Sequence, residues 1–276
     1  MESDPVAVDL NVDAALLLQE LAGIESYPPV LAVLPNIYDP DDRHRVRVAV
    51  AAELGELGIL VGGAVHPVVE RWLHCLHRPD VELVARIVDT GRTGGDRTML
   101  RFSLVRSARE HVLALRCEDS IVIQPVFQGG RELRNVTAAL TAALGYLPAV
   151  RFEPVSADLA EFEAVPGDPI ERRAALLELG ANPHSAGVLT RVLDEVVRRA
   201  EIVAVQHRDG GSIETEVCLT VLDTVSGRLV VVPHLALDGR VRSTFAPGDD
   251  AAVHAGVAAL LELLPGRSWF DTSRIQ

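Results

Sequence analysis

A chain that carries one pattern twice has to fold as two related units, and this sequence does so. Glu82, Val84 and Ala85 in VELVAR match Glu201, Val203 and Ala204 in AEIVAV at an offset of 119. Both stretches then run into a Gly-Gly pair within a polar segment. Ala139 and Leu140 match Ala259 and Leu260 at an offset of 120, and the Leu57-Gly58 and Leu179-Gly180 pairs match at 122. A unit of about 120 residues is too long for a solenoid repeat and long enough to hold several strands and helices, so the duplication constrains the architecture before any element is assigned.

Each copy reads alike. A helix ends at Gly58 or Gly180, where glycine suits a left-handed C-terminal cap. A second helix follows, Pro67 to Leu76 with Pro67 at its first position, or Ser185 to Arg199 with Ser185 as N-cap. Short runs rich in Val, Ile and Leu come next and read as strands. In the first copy they are Val81 to Val88, Thr98 to Arg106, His111 to Glu118 and Ile121 to Phe127. In the second they are Glu201 to His207, Ile213 to Asp223, Arg228 to Leu235 and Arg240 to Ala246. An amphipathic helix closes each copy, Glu132 to Leu144 and Asp249 to Leu264. Connections such as SARE, TVSG and LDG are short and polar, which favours antiparallel hairpins. HRDGGS is one of these, with Gly210 and Gly211 expected to supply positive φ.

Along Ile213 to Asp223 the odd positions are apolar or β-branched, while Glu214, Glu216, Cys218, Thr220 and Leu222 share the other face. That alternation fits an antiparallel sheet with one covered and one mixed face. Ahead of the first copy lie a strand, Pro5 to Leu10, a helix capped by Asp13, the extended YPPVLAVLPN, and a helix from Tyr38 to Glu56. Between the copies, Val150 to Pro169 reads as a bridge with a helical pattern over Ser156 to Ala164 and a second helix capped by Asp168. The expected fold is α+β: a central, largely antiparallel sheet with helices, built from two half units related by a pseudo-two-fold axis. Residues 1–150 and 151–276 are expected to form those halves of one compact domain sharing the sheet.

Composition narrows the function. The net charge is −13, and all 26 basic residues are Arg. Such a field repels nucleic acid unless a basic patch overrides it, and no Arg cluster interleaved with aromatics is present, so nucleic-acid binding is not expected. MESDPVAVDLNV lacks the basic start and apolar run of a signal peptide, and no run of about 18 apolar residues suggests membrane insertion. Cys75, Cys117 and Cys218 are an odd number, widely spaced, and read as buried thiols in a reducing cytosol.

The motifs that resemble chemistry do not complete it. His207-Arg208-Asp209 spells the kinase catalytic-loop triplet, but Glu214 stands where a metal-binding Asn is required and the chain has no lysine. His74 and His77 in HCLH have metal-compatible spacing, yet they fit a helix end where histidine favours the dipole. GRTGGDR, Gly91 to Arg97, opens a strand rather than a helix and so lacks aligned N-terminal amides for phosphate. No G-x-S-x-G elbow is present. His207, Asp209 and Glu214 are left as one candidate acid-base group for a small-molecule-binding or hydrolytic enzyme with its site between the halves.

The stretch EIVAVQHRDGGSIETEVCLTVLDTVSGRLVVVPHLALDGRVRSTFAPGDD, running on to LLPGRSWF, closely resembles the second half of the EspG family of cytosolic chaperones for ESX (type VII) secretion. SYPPVLAV and ELGELGILVGGAVHPVVERWL resemble its first half, so the likeness spans nearly the whole chain. The wording of the second half leans toward members that serve the third ESX system. The resemblance implies a pseudo-symmetric α+β fold and a cytoplasmic, non-enzymatic protein without cofactor or metal. Its partner would be a PE-PPE heterodimer, gripped through the tip of the PPE subunit and kept soluble for secretion. Carried onto this chain, the family contacts point to the loop Asp89 to Arg97, with Asp89, Arg92 and Arg97, to Arg101, to the mixed sheet face at Glu214, Glu216 and Thr220, and to His234. The mixed face also leaves room for weak self-pairing of two copies.

Overall fold

The computed structural model describes residues 4–90, 97–236 and 238–274. The chain opens with strand β1 (Val8–Leu10), then helices α1 (Val12–Leu21), α2 (Pro40–Glu56) and α3 (Pro67–His77). A small hairpin, β2 (Leu60–Val61) and β3 (Ala64–Val65), separates α2 from α3. Four strands follow, β4 (Val81–Asp89), β5 (Thr98–Ser107), β6 (Glu110–Cys117) and β7 (Ser120–Pro125), and α4 (Arg134–Leu144) closes the series. The second series repeats the order. It runs β8 (Val155–Asp158), α5 (Leu159–Glu163), α6 (Pro169–Glu178), α7 (Pro183–Val192), β9 (Val196–Arg208), β10 (Gly211–Glu214), β11 (Leu219–Thr224), β12 (Gly227–Leu235), β13 (Val241–Pro247) and α8 (Asp250–Leu263).

Among the described residues these strands, apart from β2 and β3, form one antiparallel sheet in the order β1-β7-β6-β5-β4-β9-β11-β12-β13-β8, with β10 paired to β9 off this path. The two series meet where β4 pairs with β9, and Val84 there lies opposite Val203. Those residues are also equivalents under the sequence offset of 119. A residue that pairs with its own repeat equivalent across an antiparallel ladder marks a two-fold axis. The register on either side obeys the same axis: Leu83 pairs with Ala204 and Ala85 with Ile202.

Side-chain alternation then sorts the core. One face of the sheet carries Leu83, Ala85, Phe102, Leu104, Ile202, Ala204, Leu219 and Val221, packed under α4 and α8 through Val136, Leu140, Val257 and Leu260. Each large side chain buried there contributes about 1.5–3 kcal/mol. Contact between α8 and the sheet is close: a Cβ on Gly256 would lie 2.5 Å from Leu219 Cδ1, so only glycine fits. On the opposite face, α1 and α3 cover β5, β6 and β7 around Val105, Val112, Ile121 and Ile123. Helices α6 and α7 cover Leu222 and Leu229 of β11 and β12. The middle of that face lies between the two helical covers.

Arginines tie each series to the other, Arg228 and Arg106 buried and Arg198 half-buried. Arg228 Nε and Nη2 donate to Asp223 at 2.6 and 3.0 Å, and Nη2 also donates to the Leu144 carbonyl at the end of α4 at 3.0 Å. Arg198 donates to the carbonyls of Leu144 and Ala143 at 2.7 and 3.1 Å. In the reverse direction, Arg106 of β5 donates to the Trp269 carbonyl at 2.6 Å, to that of Thr272, and to Asp80 Oδ2 at 3.1 Å. The last segment of each series is thus held by guanidinium groups of the other.

Several expectations shift. The helix expected over Ser185 to Arg199 begins earlier and ends sooner: the Asn182 side chain accepts from Ser185 N at 2.7 Å as the N-cap, and Val196 onward is strand β9. Pro183 therefore parallels Pro67. Asn11, not Asp13, caps α1, accepting from Ala14 N at 2.7 Å. The helical pattern over Ser156 to Ala164 is edge strand β8 followed by the short α5. Ile213 to Asp223 is broken into β10 and β11. Gly210 has φ of 95°, whereas Gly211 is absent from the positive-φ residues and belongs to β10. The cysteines are not uniformly buried. Cys75 is, and burial pushes its thiol up to about 12, but Cys117 is exposed and Cys218 half-buried.

Candidate functional site

The uncovered middle of the sheet is a groove of about 290 Å³ on the pseudo-two-fold axis. Its floor is built by alternation: Glu82, Val84 and Arg86 from β4, and Glu201, Val203, Val205 and His207 from β9, all point to this face. One wall is the turn Pro29–Val30, and the other is Ser212, Glu214 and Cys218.

The first wall is fixed by charge. Ala32 adopts a left-handed φ of 47°, and the turn it ends directs backbone carbonyls at the sheet. Arg101 donates to the Val30 carbonyl at 3.2 Å. Arg116 donates to Leu31 at 2.7 Å and to Ala32. Burial, and then the neighbouring Arg101 charge, hold the Arg116 guanidinium below its ordinary value.

The second wall follows from an excursion in the chain. On β9, Glu201 and Val205 are partners of Thr220 and Glu214, so the five residues from Glu201 to Val205 face seven of the returning chain. Two residues are looped out, an even number, so Glu214 and Thr220 still point to one face. Thr215 anchors the detour, its N–H donating to the Ala204 carbonyl at 3.0 Å and its Oγ1 accepting from Ala204 N at 3.3 Å.

A polar set lies at one end of the floor. Glu82 is 1% exposed, accepts from Ser103 Oγ at 2.8 Å, and its Oε2 lies 3.1 Å from His207 Nε2. A buried carboxylate needs such partners. The three groups do not form a nucleophilic relay: both Ser103 and His207 bond Glu82 rather than each other, and Ser103 is wholly buried. Nor do His207, Asp209 and Glu214 converge. Asp209 is held away by Arg78 at 3.3 Å and Arg274 at 3.1 Å. His77 Nδ1 lies 3.1 Å from the Ser26 carbonyl, and among the described residues no cluster of three or more His, Cys, Asp or Glu could hold a metal.

The residues expected at an interface fall into groups. Glu214 lines the groove, Arg101 braces its wall, and Thr220 is buried on the same face, 3.3 Å from the Cys218 thiol through its hydroxyl. Glu216 is exposed in the excursion. Asp89 and Arg97 are exposed at the facing ends of β4 and β5, while Arg92 lies outside the described residues. His234 is on the opposite face of the sheet, 3.5 Å from Thr244 Oγ1, and is not joined to the others. The valine floor, Arg86, the Pro29 turn and the Glu82 to His207 contact were not anticipated. The offset of 119 carried the signal for the floor, because it made Val84 and Val203 equivalent.

Comparisons with known proteins agree on a kinship. A family model described as the EspG family matches residues 11–259. The ESX-3 secretion-associated protein EspG3 of Mycolicibacterium smegmatis is 34% identical, over 96% of this chain and 90% of its own length. The ESX-1 secretion-associated protein EspG1 of Mycobacterium marinum is 30% identical, over 97% and 92%. In structure, the Mycobacterium tuberculosis type VII secretion chaperone EspG5, solved in complex with a PE25-PPE41 dimer, superposes with a TM-score of 0.80. It shares 20% identity and covers 97% of this chain and 100% of its own, which establishes the fold.

Proposed function

The chain belongs to the EspG family, and from that premise we propose that it is a cytosolic, non-enzymatic secretion chaperone. It binds the PPE tip of a PE-PPE heterodimer and keeps the pair soluble for ESX type VII secretion. The observation that supports this best is the open groove on the axis: valines form its floor, no helix among the described residues lines it, and a protruding partner tip can reach it. Glu214 on the wall, Arg101 behind the turn and Glu216 in the excursion are the contact candidates this geometry favours, with Asp89 and Arg97 an outlying pair and Arg92 a candidate from the family resemblance alone. A complex of this kind buries on the order of 1,600 Å² in total. Residues 1–150 and 151–276 act as half units of one compact domain, a reading supported by the shared sheet and the reciprocal arginine ties.

Co-expression with the PE-PPE pair encoded nearest to this chain, followed by size exclusion with light scattering, tests the proposal. A single 1:1:1 species, with the PPE protein insoluble when this chain is omitted, is expected. Absence of a complex with that pair and with pairs from other ESX systems refutes it.

A further inference from the structure

We propose that Arg86 is a specificity determinant of the groove: it takes an aspartate or glutamate of the partner tip whose apolar residues seat on Val84, Val203 and Val205. The proposal rests on the chaperone reading above and adds the charge that the groove selects.

The argument begins with register. Arg86 of β4 lies opposite Arg101 of β5, and Arg101 lies opposite Arg116 of β6, so three guanidinium groups cross the sheet in one row on one face. Like charges directly opposite one another destabilise a ladder. Two of the three have that cost offset, because Arg101 and Arg116 donate to carbonyls of the Pro29–Ala32 turn. Arg86 has no such carbonyl, and although Glu201 of β9 lies opposite it, the two make no ion pair. Arg86 is exposed, and its guanidinium makes no hydrogen bond or ion pair among the described residues.

Its neighbours are already engaged. Glu201, its cross-strand partner, gives one carboxylate oxygen, Oε1, to Arg199 at 2.7 Å. Glu82, on the same strand, is taken by Ser103 and His207. The row is a local run of positive charge in a chain of net charge −13, and Arg86 brings it into a groove whose lining also holds Glu82, Glu201 and Glu214. Placed beside an apolar floor, it complements a partner that carries an acidic side chain next to its apolar tip. Arg suits this role because its planar fork binds carboxylate in two-point fashion.

The test uses the full chain and the PE-PPE pair encoded nearest to it. Dissociation constants are measured at low and high salt for wild type, Arg86→Gln, Arg86→Glu and the control Arg71→Glu, an exposed position on α3 with the same change in net charge. Arg86→Glu is expected to weaken binding by roughly tenfold or more, with Arg86→Gln intermediate and less salt-dependent than wild type. Arg71→Glu is expected to stay within about twofold, as for a charge outside the contact. Reversing each acidic residue of the PPE tip to Arg in turn should identify one change that restores binding to Arg86→Glu. If wild type binds and both Arg86 variants bind equally well, this inference is overturned while the chaperone reading stands. If wild type binds no pair at all, the chaperone reading falls first and this one with it.

Discussion

Glu82 and Glu201 occupy equivalent positions in the two repeats, and their environments are opposite. The Glu82 side chain is 2% exposed, whereas that of Glu201 is 45% exposed and, among the described residues, forms an ion pair with Arg199 alone. Two local differences produce this. The position equivalent to His207 is Val88, so only Glu82 receives an imidazole. In addition, the Pro29–Leu31 turn lies over β4, β5 and β6, while the segment before α6 serves its own helix, the Pro166 and Gly167 carbonyls accepting from Arg172. Duplication supplies the sheet and its axis; divergence at a few side chains gives the groove a direction. A site with two equal ends would accept a partner in two orientations, and this one does not have equal ends.

The largest effects should come from the ties that join the halves. Arg228→Ala leaves Asp223, whose side chain is 8% exposed, without its bidentate partner, and should cost about 3–5 kcal/mol in chemical denaturation. Arg106→Ala should cost less, because its partner Asp80 is more open, at 13%. Equal losses for the two would mean that the reciprocal ties are energetically symmetric despite their different burial.

A smaller contrast separates the two glutamates. Glu82→Ala strips hydrogen-bond partners from Ser103 and His207 and should destabilise the fold by about 1–3 kcal/mol. Glu201→Ala should stay within about 0.5 kcal/mol, as expected of an exposed site. If the two cost the same, the asymmetry of the groove is not reflected in stability, and the buried set around Glu82 is weaker than its geometry implies.

Much of this architecture was legible in the chain itself. The offset matches at Val84 and Val203 and the capping glycines Gly58 and Gly180 identify two units, and short polar links identify hairpins. The full extent of the repeat was less visible. Val8 to Leu10 and Val155 to Asp158 are equivalent edge strands, but insertions around α1 and α2 shift their spacing, and so Val155 to Asp158 reads from sequence as part of a helical bridge. Short edge strands carry little periodicity, and SADLAEFE favours a helix locally until β13 supplies pairing partners for Val155 to Asp158. Candidate site residues were legible as a face rather than as a place. Alternation puts Glu214 and Thr220 on one face, whereas His234, a candidate from the family resemblance, lies on the other face because the turn between β11 and β12 reverses which parity faces the groove. Partners over long separations, such as Glu82 and His207, have no local signal at all.

The subtlest prediction concerns the end of the second series where it docks on the first. Trp269 Nε1 lies 3.0 Å from His111 Nε2, and an indole N–H can only donate, so Nε2 is the acceptor. The other ring nitrogen, Nδ1, then carries the proton and faces the Arg109 carbonyl at 3.3 Å. Only neutral His111 can make both contacts. Burial, opposed by the Arg109 carbonyl and aided by the nearby Arg106 charge, lowers its pKa below the ordinary 6.5. In the window between the lowered folded value and 6.5, the unfolded chain binds the proton and the folded chain does not. Stability from this contact is therefore complete above that window and is lost as pH falls through it. Denaturation midpoints followed across this range, with Trp269 fluorescence as the local reporter, should decline toward acid in wild type. His111→Gln should lose that component and show a flatter profile. The docking at the Arg198 and Arg228 tie has no histidine among its hydrogen bonds. A variant weakened there should keep the wild-type slope, so an unchanged slope in His111→Gln would show that the pH dependence arises elsewhere and that the two ends of the molecule do not differ in this respect.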